Sequence, residues 1–285
     1  MRSSLFICSL VIVLLSLNTF AQPVVVQGSE RSNYYIDTLK HVLSYSPSKN
    51  YQLTFYNKNL PKSRVLNNIA TNGGIDIIAA GATVEREQLL QPIWFPILKG
   101  LVGWRIPLVN KENSNLFSSN ITAESFKKLT VGQLHSWSDT KILESNNIHV
   151  EKGSNFQGLF QMLAAKRFDY FPRSILEVQA ELEDHKSLNI TIDTNILLHY
   201  PTAYLFYVNK SNKSLAEDVA YGLEQSLKDG SFELLFNRYY GETISHATKD
   251  NRRVYHLKNP FLPTKTPLHR KELWLDLSTK NDVNL

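Results

Sequence analysis

Short apolar segments alternate along the chain with segments in which apolar residues have a helical spacing. Residues 23–27, 51–56 and 75–80 are the first three candidate strands, and the last is a continuous apolar run, as expected for a strand buried on both faces. The segments between them place apolar side chains three and four positions apart, which is typical of amphipathic helices. This alternation predicts an α/β architecture.

The middle of the chain repeats this alternation as a second unit. Residues 91–109 are rich in proline, tryptophan and glycine and lack helical periodicity, so they indicate extended chain that leaves the first unit. The clearest helix of the second unit, residues 156–163, has apolar side chains at positions i, i+3, i+4 and i+7. Residues 200–208 are again extended. The sequence therefore predicts two α/β lobes joined by two crossover strands.

These boundaries predict which parts of the chain form each lobe. We assign residues 22–107 to the first lobe and residues 108–204 to the second. Ser214 opens a later helix with an apolar stripe, and the simplest arrangement folds the last helices back onto the first lobe. Residues 205–285 are therefore expected to return to the first lobe and to end in a C-terminal tail.

The first 21 residues have the pattern of a secretory signal peptide. Arg2 precedes an apolar stretch from residue 5 to residue 17, and Ala21 is a small residue at the expected cleavage site. The stretch is shorter than the roughly 20 residues that a transmembrane helix needs. Cys8, the only cysteine of the sequence, lies within this stretch, so cleavage after Ala21 leaves a chain without thiols. The pattern predicts a periplasmic protein.

Composition and charge exclude several classes of protein. The sequence has 285 residues, of which 42% are hydrophobic and 20% charged, and this excludes disordered, collagen-like and disulfide-scaffold chains. The formal net charge of +5 is mildly basic, and basic residues occur in pairs rather than in longer runs. We therefore expect no nucleic-acid partner.

The sequence contains little that indicates catalysis. Its eight histidines lack the spacing of metal ligands, and the Gly-x-Ser-x-Gly, Walker and Gly-x-Gly-x-x-Gly motifs do not occur. Ser-x-x-Lys occurs twice, but its companion motifs of penicillin-recognising enzymes are missing. We expect a protein that is not an enzyme and that needs neither a cofactor nor a metal.

Three passages resemble the type II periplasmic solute-binding proteins, specifically the amino-acid-binding branch that serves ABC importers. Residues 74–86 (GIDIIAAGATVER) are similar to the family's passage GxxDxxxxGxTxTxER, residues 163–170 to LxxGRxDA, and residues 227–232 to LxxDGT. Two further passages, 96–101 and 259–263, together with residues 168–173, resemble a subgroup of exported proteobacterial proteins related to that branch. The resemblance implies a two-lobed fold that closes on a small ligand.

The first passage implies a carboxylate site in the first lobe. Arg86 matches the family's carboxylate-binding arginine, and Thr83 matches a neighbouring hydroxyl or backbone contact. The passage is two residues shorter than the family's between Asp76 and Arg86, and this shortening could move Arg86 out of the cleft. The alternative for Arg86 is a surface ion pair with Glu85 or Glu87.

Two strand-to-helix turns supply further candidates for ligand binding. Ser29 and Glu30 follow the first strand and are expected to reach the cleft. Trp137 and Asp139 lie where a second-lobe strand turns into a helix, so Trp137 is either a ring that stacks on the ligand or a packing aromatic.

Arg173 and Ser174 lie near the position at which the family has its ammonium-binding aspartate. The absence of an acid there argues against an ordinary α-amino acid and favours a ligand with a second anionic or a neutral polar group. Arg173 is therefore a candidate ligand contact, with an ion pair between the lobes as its alternative.

We interpret the sequence as that of an exported solute-binding protein that captures a small polar, anionic ligand between two lobes for uptake. The alternative is a periplasmic sensory or partner-binding protein that reports ligand occupancy to a membrane receptor. The corresponding partners are an ABC permease or a membrane sensor, and we expect a monomer.

Overall fold

The computed structural model describes residues 21–29, 33–47, 49–117, 121–279 and 282–285. Residues 1–20, which hold nearly all of the predicted signal peptide, and the candidate ligand residue Glu30 lie outside the described residues. Within the described part of the chain, no helix combines the length and the apolar composition needed to cross a membrane.

Strands and helices alternate through most of the chain. The strands are β1 (Gln22–Gln27), β2 (Tyr51–Tyr56), β3 (Ile77–Gly81), β4 (Gln91–Pro92), β5 (Trp104–Asn110), β6 (Thr130–Leu134), β7 (His149–Gly153), β8 (Tyr170–Ser174), β9 (Ile190–Ile192), β10 (Ile196–His199), β11 (Tyr204–Val208), β12 (Arg253–His256) and β13 (Val283–Asn284). The helices are α1 (Tyr34–Leu43), α2 (Lys62–Ala70), α3 (Val84–Leu89), α4 (Ala123–Lys127), α5 (Ser138–Ser145), α6 (Phe156–Ala164), α7 (Val178–Asp184), α8 (Lys213–Lys228) and α9 (Ser231–Thr248). Single 3-10 turns lie at Leu101–Gly103, Lys111–Asn113 and Lys271–Leu273.

The first lobe is built on a sheet with the strand order β2-β1-β3-β11-β4. Strand β1 pairs in parallel with β2 and β3, whereas β11 runs antiparallel to β3 and β4. Helices α1 and α8 pack against this sheet and against each other. They approach closely because Gly222 has no side chain: a Cβ atom there would lie 1.9 Å from the carbonyl oxygen of Val42.

The second lobe is built on a mixed sheet with the strand order β13-β12-β10-β5-β8-β6-β7, and β9 also pairs with β5. Strand β6 pairs in parallel with β7 and β8, and β5 runs antiparallel to β8 and β10. The helix predicted from its apolar spacing is α6, which buries Leu159, Phe160 and Leu163 in the core of this lobe.

The end of the chain departs from the predicted lobe assignment. Residues 205–285 were expected to return to the first lobe, but β12 pairs with β10 and β13 pairs with β12, so both strands extend the second sheet. Val254 and Tyr255 of β12 are fully buried there. The predicted boundary at residue 107 also falls inside β5, which begins at Trp104 and lies wholly in the second sheet. With only four residues, β12 is too short to show an alternation of apolar and polar positions, so the sequence pattern does not predict this strand.

A long segment between β12 and β13 connects both lobes, and we call residues 257–279 the C-terminal strap. Its Leu275 N–H donates to the carbonyl oxygen of Lys99 at 2.7 Å, and its Arg270 forms an ion pair with Glu224 of α8 at 2.5 Å. The chain leaves the first sheet after β4, returns at β11, leaves again through α9, returns in the strap and ends in β13. The described chain therefore passes between the lobes five times.

Candidate functional site

A cleft of about 680 Å³ lies between the two lobes, where the turn from β3 to α3 faces the turn from β6 to α5. Its walls come from four parts of the chain: the first lobe, the second lobe, the crossing segments and the C-terminal strap. The lining residues are Gly81, Ala82, Thr83, Val84, Glu85 and Arg86; His135, Ser136, Trp137, Ser138, Asp139, Lys141 and Ile142; Val102, Arg105, Thr202, Ala203 and Tyr204; and Asn259, Pro260, Phe261 and Leu262. Four of the predicted site residues, Thr83, Arg86, Trp137 and Asp139, thus meet at one cleft.

The first-lobe wall is organised by the cap of helix α3. Thr83 has an extended backbone, and its hydroxyl oxygen accepts a hydrogen bond from the Arg86 N–H at 3.2 Å. The half-buried Arg86 side chain folds back so that its guanidinium donates to the carbonyl oxygen of Gly81. Among the described residues, no carboxylate lies within ion-pair distance of Arg86, and Glu87 pairs instead with Lys265 at 3.1 Å. Arg86 therefore lies in the cleft wall, and it does not form the alternative ion pair with Glu85 or Glu87.

Trp137 has both a packing contact and a face on the cleft. It is the N-cap residue of α5, its ring stacks on Phe171 with centroids 6.2 Å apart, and the guanidinium carbon of Arg173 lies 4.7 Å from the ring centroid. The same side chain lines the cleft. Trp137 is thus held in place by second-lobe contacts while it contributes an aromatic surface to the cavity.

Asp139 belongs to a buried charged cluster at the back of the cleft. An Arg105 guanidinium nitrogen lies 2.6 Å from a carboxylate oxygen of Asp139, and the Tyr200 hydroxyl donates to the same oxygen. Burial alone raises the pKa of Asp139, but the attraction of Arg105 and the hydrogen bond from Tyr200 outweigh it and hold that pKa below its ordinary value. The same carboxylate raises the pKa of Arg105 despite the opposing effect of burial. This cluster joins α5 to the crossing strands, and its charges are already compensated.

Arg173 lies outside the cleft wall and is held by two carboxylates of the second lobe. Its Nε and Nη2 atoms donate to Glu181 at 2.7 and 2.6 Å, and Nη2 lies 3.1 Å from Glu177. Arg173 is only 5% exposed. Ser174 is also buried, and its hydroxyl oxygen accepts from the Leu176 N–H at 3.3 Å. The expected ligand contact at Arg173 is therefore replaced by an ion pair, and that pair lies within one lobe rather than between the two.

The predicted contact from the end of β1 is not seen among the described residues. Ser29 is exposed and does not line the cleft, while Glu30 is outside the described residues. Sequence reasoning missed Arg105, Lys141 and the strap residues at the cleft. The pairing of Arg173 with Glu177 and Glu181 was also missed, because Arg173 lies in β8 and the two acids lie in the turn and the helix after it, where no fixed sequence spacing predicts a contact. Nothing local in the sequence indicates that the strap reaches the cleft.

The charges that line the cleft do not balance. Among the lining residues that the structure describes, three cationic side chains, Arg86, Arg105 and Lys141, meet two carboxylates, Glu85 and Asp139. Among the described residues, no group of three or more histidine, cysteine, aspartate or glutamate side chains is arranged to hold a metal ion. After Arg105 and Asp139 neutralise each other, the described part of the lining retains two positive charges, Arg86 and Lys141, against one negative charge, Glu85.

Comparison with known proteins supports the fold more than any particular ligand. No protein-family model and no curated protein sequence matches the chain. The structure of the probable amino-acid ABC transporter extracellular-binding protein ytmK from Bacillus subtilis superimposes with a TM-score of 0.58 at 18% identity, covering 78% of this chain and 99% of that one.

Two other solved structures give lower scores. An ancestral arginine-binding protein bound to arginine has 19% identity, a TM-score of 0.49 and coverage of 77% of this chain and 98% of that one. The Salmonella typhimurium periplasmic binding protein STM4351 has 14% identity, a TM-score of 0.48 and coverage of 77% and 100%. At 18% identity, the likeness to ytmK shows the fold and not the ligand. With its two sheets and the cleft between them, this chain has the two-lobed α/β fold of periplasmic binding proteins.

Proposed function

We propose that the protein is a periplasmic solute-binding protein that captures a small polar, anionic ligand between its two lobes for uptake through an ABC permease. The fold shared with ytmK supports the general role, because that structure is described as a probable amino-acid ABC transporter extracellular-binding protein. The signal-peptide pattern before residue 22 supports export.

The main support for an anionic ligand comes from Arg86. Its guanidinium remains charged at any physiological pH, and it lines the cleft without a carboxylate partner among the described residues. A guanidinium presents parallel N–H donors that match a carboxylate or phosphate. An anion that enters the cleft would supply the missing counter-charge, whereas a cation would add to the existing excess.

Binding rather than catalysis agrees with the state of the buried carboxylate in the cleft. Asp139 lies in ion-pair contact with Arg105 and accepts a hydrogen bond from the Tyr200 hydroxyl. Burial raises its pKa most strongly, but Arg105, Tyr200 and further contacts together outweigh burial and hold the pKa below its ordinary value. A carboxylate whose pKa is held below its ordinary value is a weaker general base than an ordinary carboxylate. The cleft therefore offers recognition groups and little machinery for proton transfer.

A ligand screen followed by calorimetry tests the proposal. We expect thermal-shift screening of amino acids, dicarboxylates, phosphate, polyamines and sugars to return an anion, since a ligand at 100 times its Kd stabilises the folded protein by about 2.7 kcal/mol. Truncating one partner of a buried charged contact costs about 2–5 kcal/mol. Arg86→Ala should therefore weaken binding by roughly thirtyfold to several thousandfold.

Arg64→Ala is the matched control, because Arg64 is exposed on α2 and does not line the cleft. It should bind the screened anion as the wild type does. Wild-type affinity in Arg86→Ala, or a preferred ligand that is a cation, would refute the anion site.

Ligand binding should also close the lobes. The crossing segments permit rotation about a hinge rather than free tumbling of the lobes. Small-angle X-ray scattering should then show a smaller radius of gyration with the ligand than without it. An unchanged scattering profile at saturating ligand would contradict hinge closure.

A further inference from the structure

The C-terminal strap gives the cleft an apolar wall. Phe261 is 46% exposed and Leu262 is half-buried, and both line the cavity. Val84 of the first lobe, which is 44% exposed, lines the same cavity. Two of the six large apolar side chains that are exposed in the described part of the chain therefore meet in this cleft. Exposed apolar surface that gathers in a cavity indicates a site where an apolar group binds.

Hydrogen bonds hold this wall in place before any ligand arrives. The Asn259 side-chain amide donates to the carbonyl oxygen of Pro201 in the crossing segment at 2.8 Å. The Phe261 N–H donates to the Asn259 side-chain oxygen at 3.1 Å, which closes a short turn. Leu262 packs against the first-lobe core cluster that contains Leu205. A wall that is already ordered loses little conformational entropy when a ligand packs against it.

One of the two carboxylates in the described lining of the cleft is already paired with a cation. Asp139 is paired with Arg105. Glu85, the other carboxylate of the described lining, is exposed at the start of α3. Because cationic side chains outnumber carboxylates in the described lining, a ligand gains more from an anionic end and an apolar end than from an amino group.

We propose that the ligand is a carboxylate with an aromatic or similarly bulky apolar group, and that Phe261 determines this specificity. This inference rests on the proposed solute-binding function. The carboxylate binds Arg86, and the apolar group lies in the same cavity between Phe261, Val84 and the ring of Trp137. A cavity of about 680 Å³ has room for such a group and is much larger than a short-chain carboxylate requires.

Calorimetry with 3-phenylpropionate and indole-3-acetate tests the inference. Both should bind at least tenfold more tightly than propionate, which lacks the ring, and than 3-phenylpropanamide, which lacks the charge. Phe261→Ala should weaken the binding of 3-phenylpropionate about tenfold, equivalent to about 1.4 kcal/mol. The same variant should bind propionate as the wild type does, because propionate does not reach the wall.

Leu268→Ala is the matched control, since Leu268 is 52% exposed on the same strap but lies outside the cleft lining. It should bind both aromatic carboxylates normally. If succinate or phosphate binds through Arg86 while both aromatic carboxylates do not, this inference is overturned and the proposed function stands. If Phe261→Ala binds 3-phenylpropionate as the wild type does, the specificity role of Phe261 is overturned. Failure of every compound class in the screen would refute both proposals.

Discussion

Replacing Asp139 with asparagine removes the charge that compensates Arg105 at the back of the cleft. The two side chains are 17% and 12% exposed, and their charged atoms lie 2.6 Å apart. Breaking a buried ion pair by removing one partner costs about 3–5 kcal/mol, because the other charge is left in a poorly solvated site. Asparagine keeps a hydrogen-bonding oxygen, so we expect the lower end of that range, about 3 kcal/mol. For a chain of this size, the loss corresponds to a Tm lower by roughly 6–12 °C.

The stability lost in Asp139→Asn should depend on pH, and the pKa of Asp139 gives the direction. Burial opposes ionisation of Asp139, but Arg105 and Tyr200 hold its folded-state pKa below the ordinary value. A carboxylate with a depressed folded-state pKa stabilises the protein above its unfolded-state pKa of about 4, and this contribution is lost as the pH falls through the folded-state pKa. The difference in stability between the wild type and Asp139→Asn should therefore be full at pH 7 and shrink below about pH 4.

Urea unfolding followed by circular dichroism at pH 7 and at pH 3.5 measures this difference. Asp184→Asn is the matched control, because Asp184 is an exposed carboxylate on α7, and it should change stability by no more than about 0.5 kcal/mol. The double variant Arg105→Gln, Asp139→Asn should recover part of the lost stability, since it leaves no uncompensated charge. A loss below about 1 kcal/mol in Asp139→Asn, or no recovery in the double variant, would refute the reasoning.

Three further predictions concern stability outside the cleft. Arg173→Gln should destabilise the second lobe by about 3 kcal/mol in urea unfolding, because it breaks a buried ion pair. Since Arg173 touches the cleft only through the Trp137 ring, the ligand affinity measured by calorimetry should fall by less than about tenfold. Burial and a neighbouring histidine lower the pKa of His199 to about 4. The free energy of unfolding should therefore be highest above about pH 6.5 and should fall by up to about 3 kcal/mol as the pH approaches 4. His199→Asn should remove this pH dependence. Gly100→Ala should lower the free energy of unfolding by about 1–3 kcal/mol more than Gly230→Ala. Both glycines have a positive φ, but only at Gly100 would an added Cβ atom clash, because it would lie 2.7 Å from the Trp274 ring.

Each of these has an outcome that contradicts it. A tenfold loss of ligand affinity in Arg173→Gln would show that this arginine acts at the cleft after all. A pH profile of stability that is the same with and without His199 would assign the acid sensitivity to other groups. Equal losses in Gly100→Ala and Gly230→Ala would mean that backbone conformation alone requires glycine at both positions, and that the contact with Trp274 can relax at little cost.

The local part of the fold could be predicted from the sequence because each element carries its own pattern. The apolar run at residues 75–80 corresponds to β3, shifted by about two residues at its start, and residues 51–56 form β2 as expected. Helix α6 follows directly from its apolar spacing. Trp137 could be predicted to reach the cleft because it lies in the turn after a strand, where the α/β architecture places binding residues, whereas Arg86 was placed there only by the resemblance of residues 74–86 to the family's passage.

The parts that could not be predicted depend on contacts between distant residues. Strand β12 buries only Val254 and Tyr255 and pairs with a strand more than 50 residues earlier, so neither its period nor its partner can be read from the sequence. Phe261 lies in a proline-rich segment that looks like an ordinary tail, and only the tertiary fold places it at the cleft. Arg173 lies near the position that the resemblance assigns to a ligand contact, but Glu177 and Glu181 of the same lobe already bind its guanidinium.

The placement of the last strands has a consequence for the order of folding. The first sheet needs β11, which follows nearly all of the second lobe in the chain, and the second sheet needs β12 and β13 from the final residues. The first sheet cannot be completed before β11 has been synthesised, and the second sheet cannot be completed before β12 and β13 have been synthesised. Native pairing of such distant strands carries a large loop-closure cost, which slows folding. The protein should therefore acquire its native structure only after the whole chain is available, and removal of the few residues of β13 should leave an unpaired edge on β12.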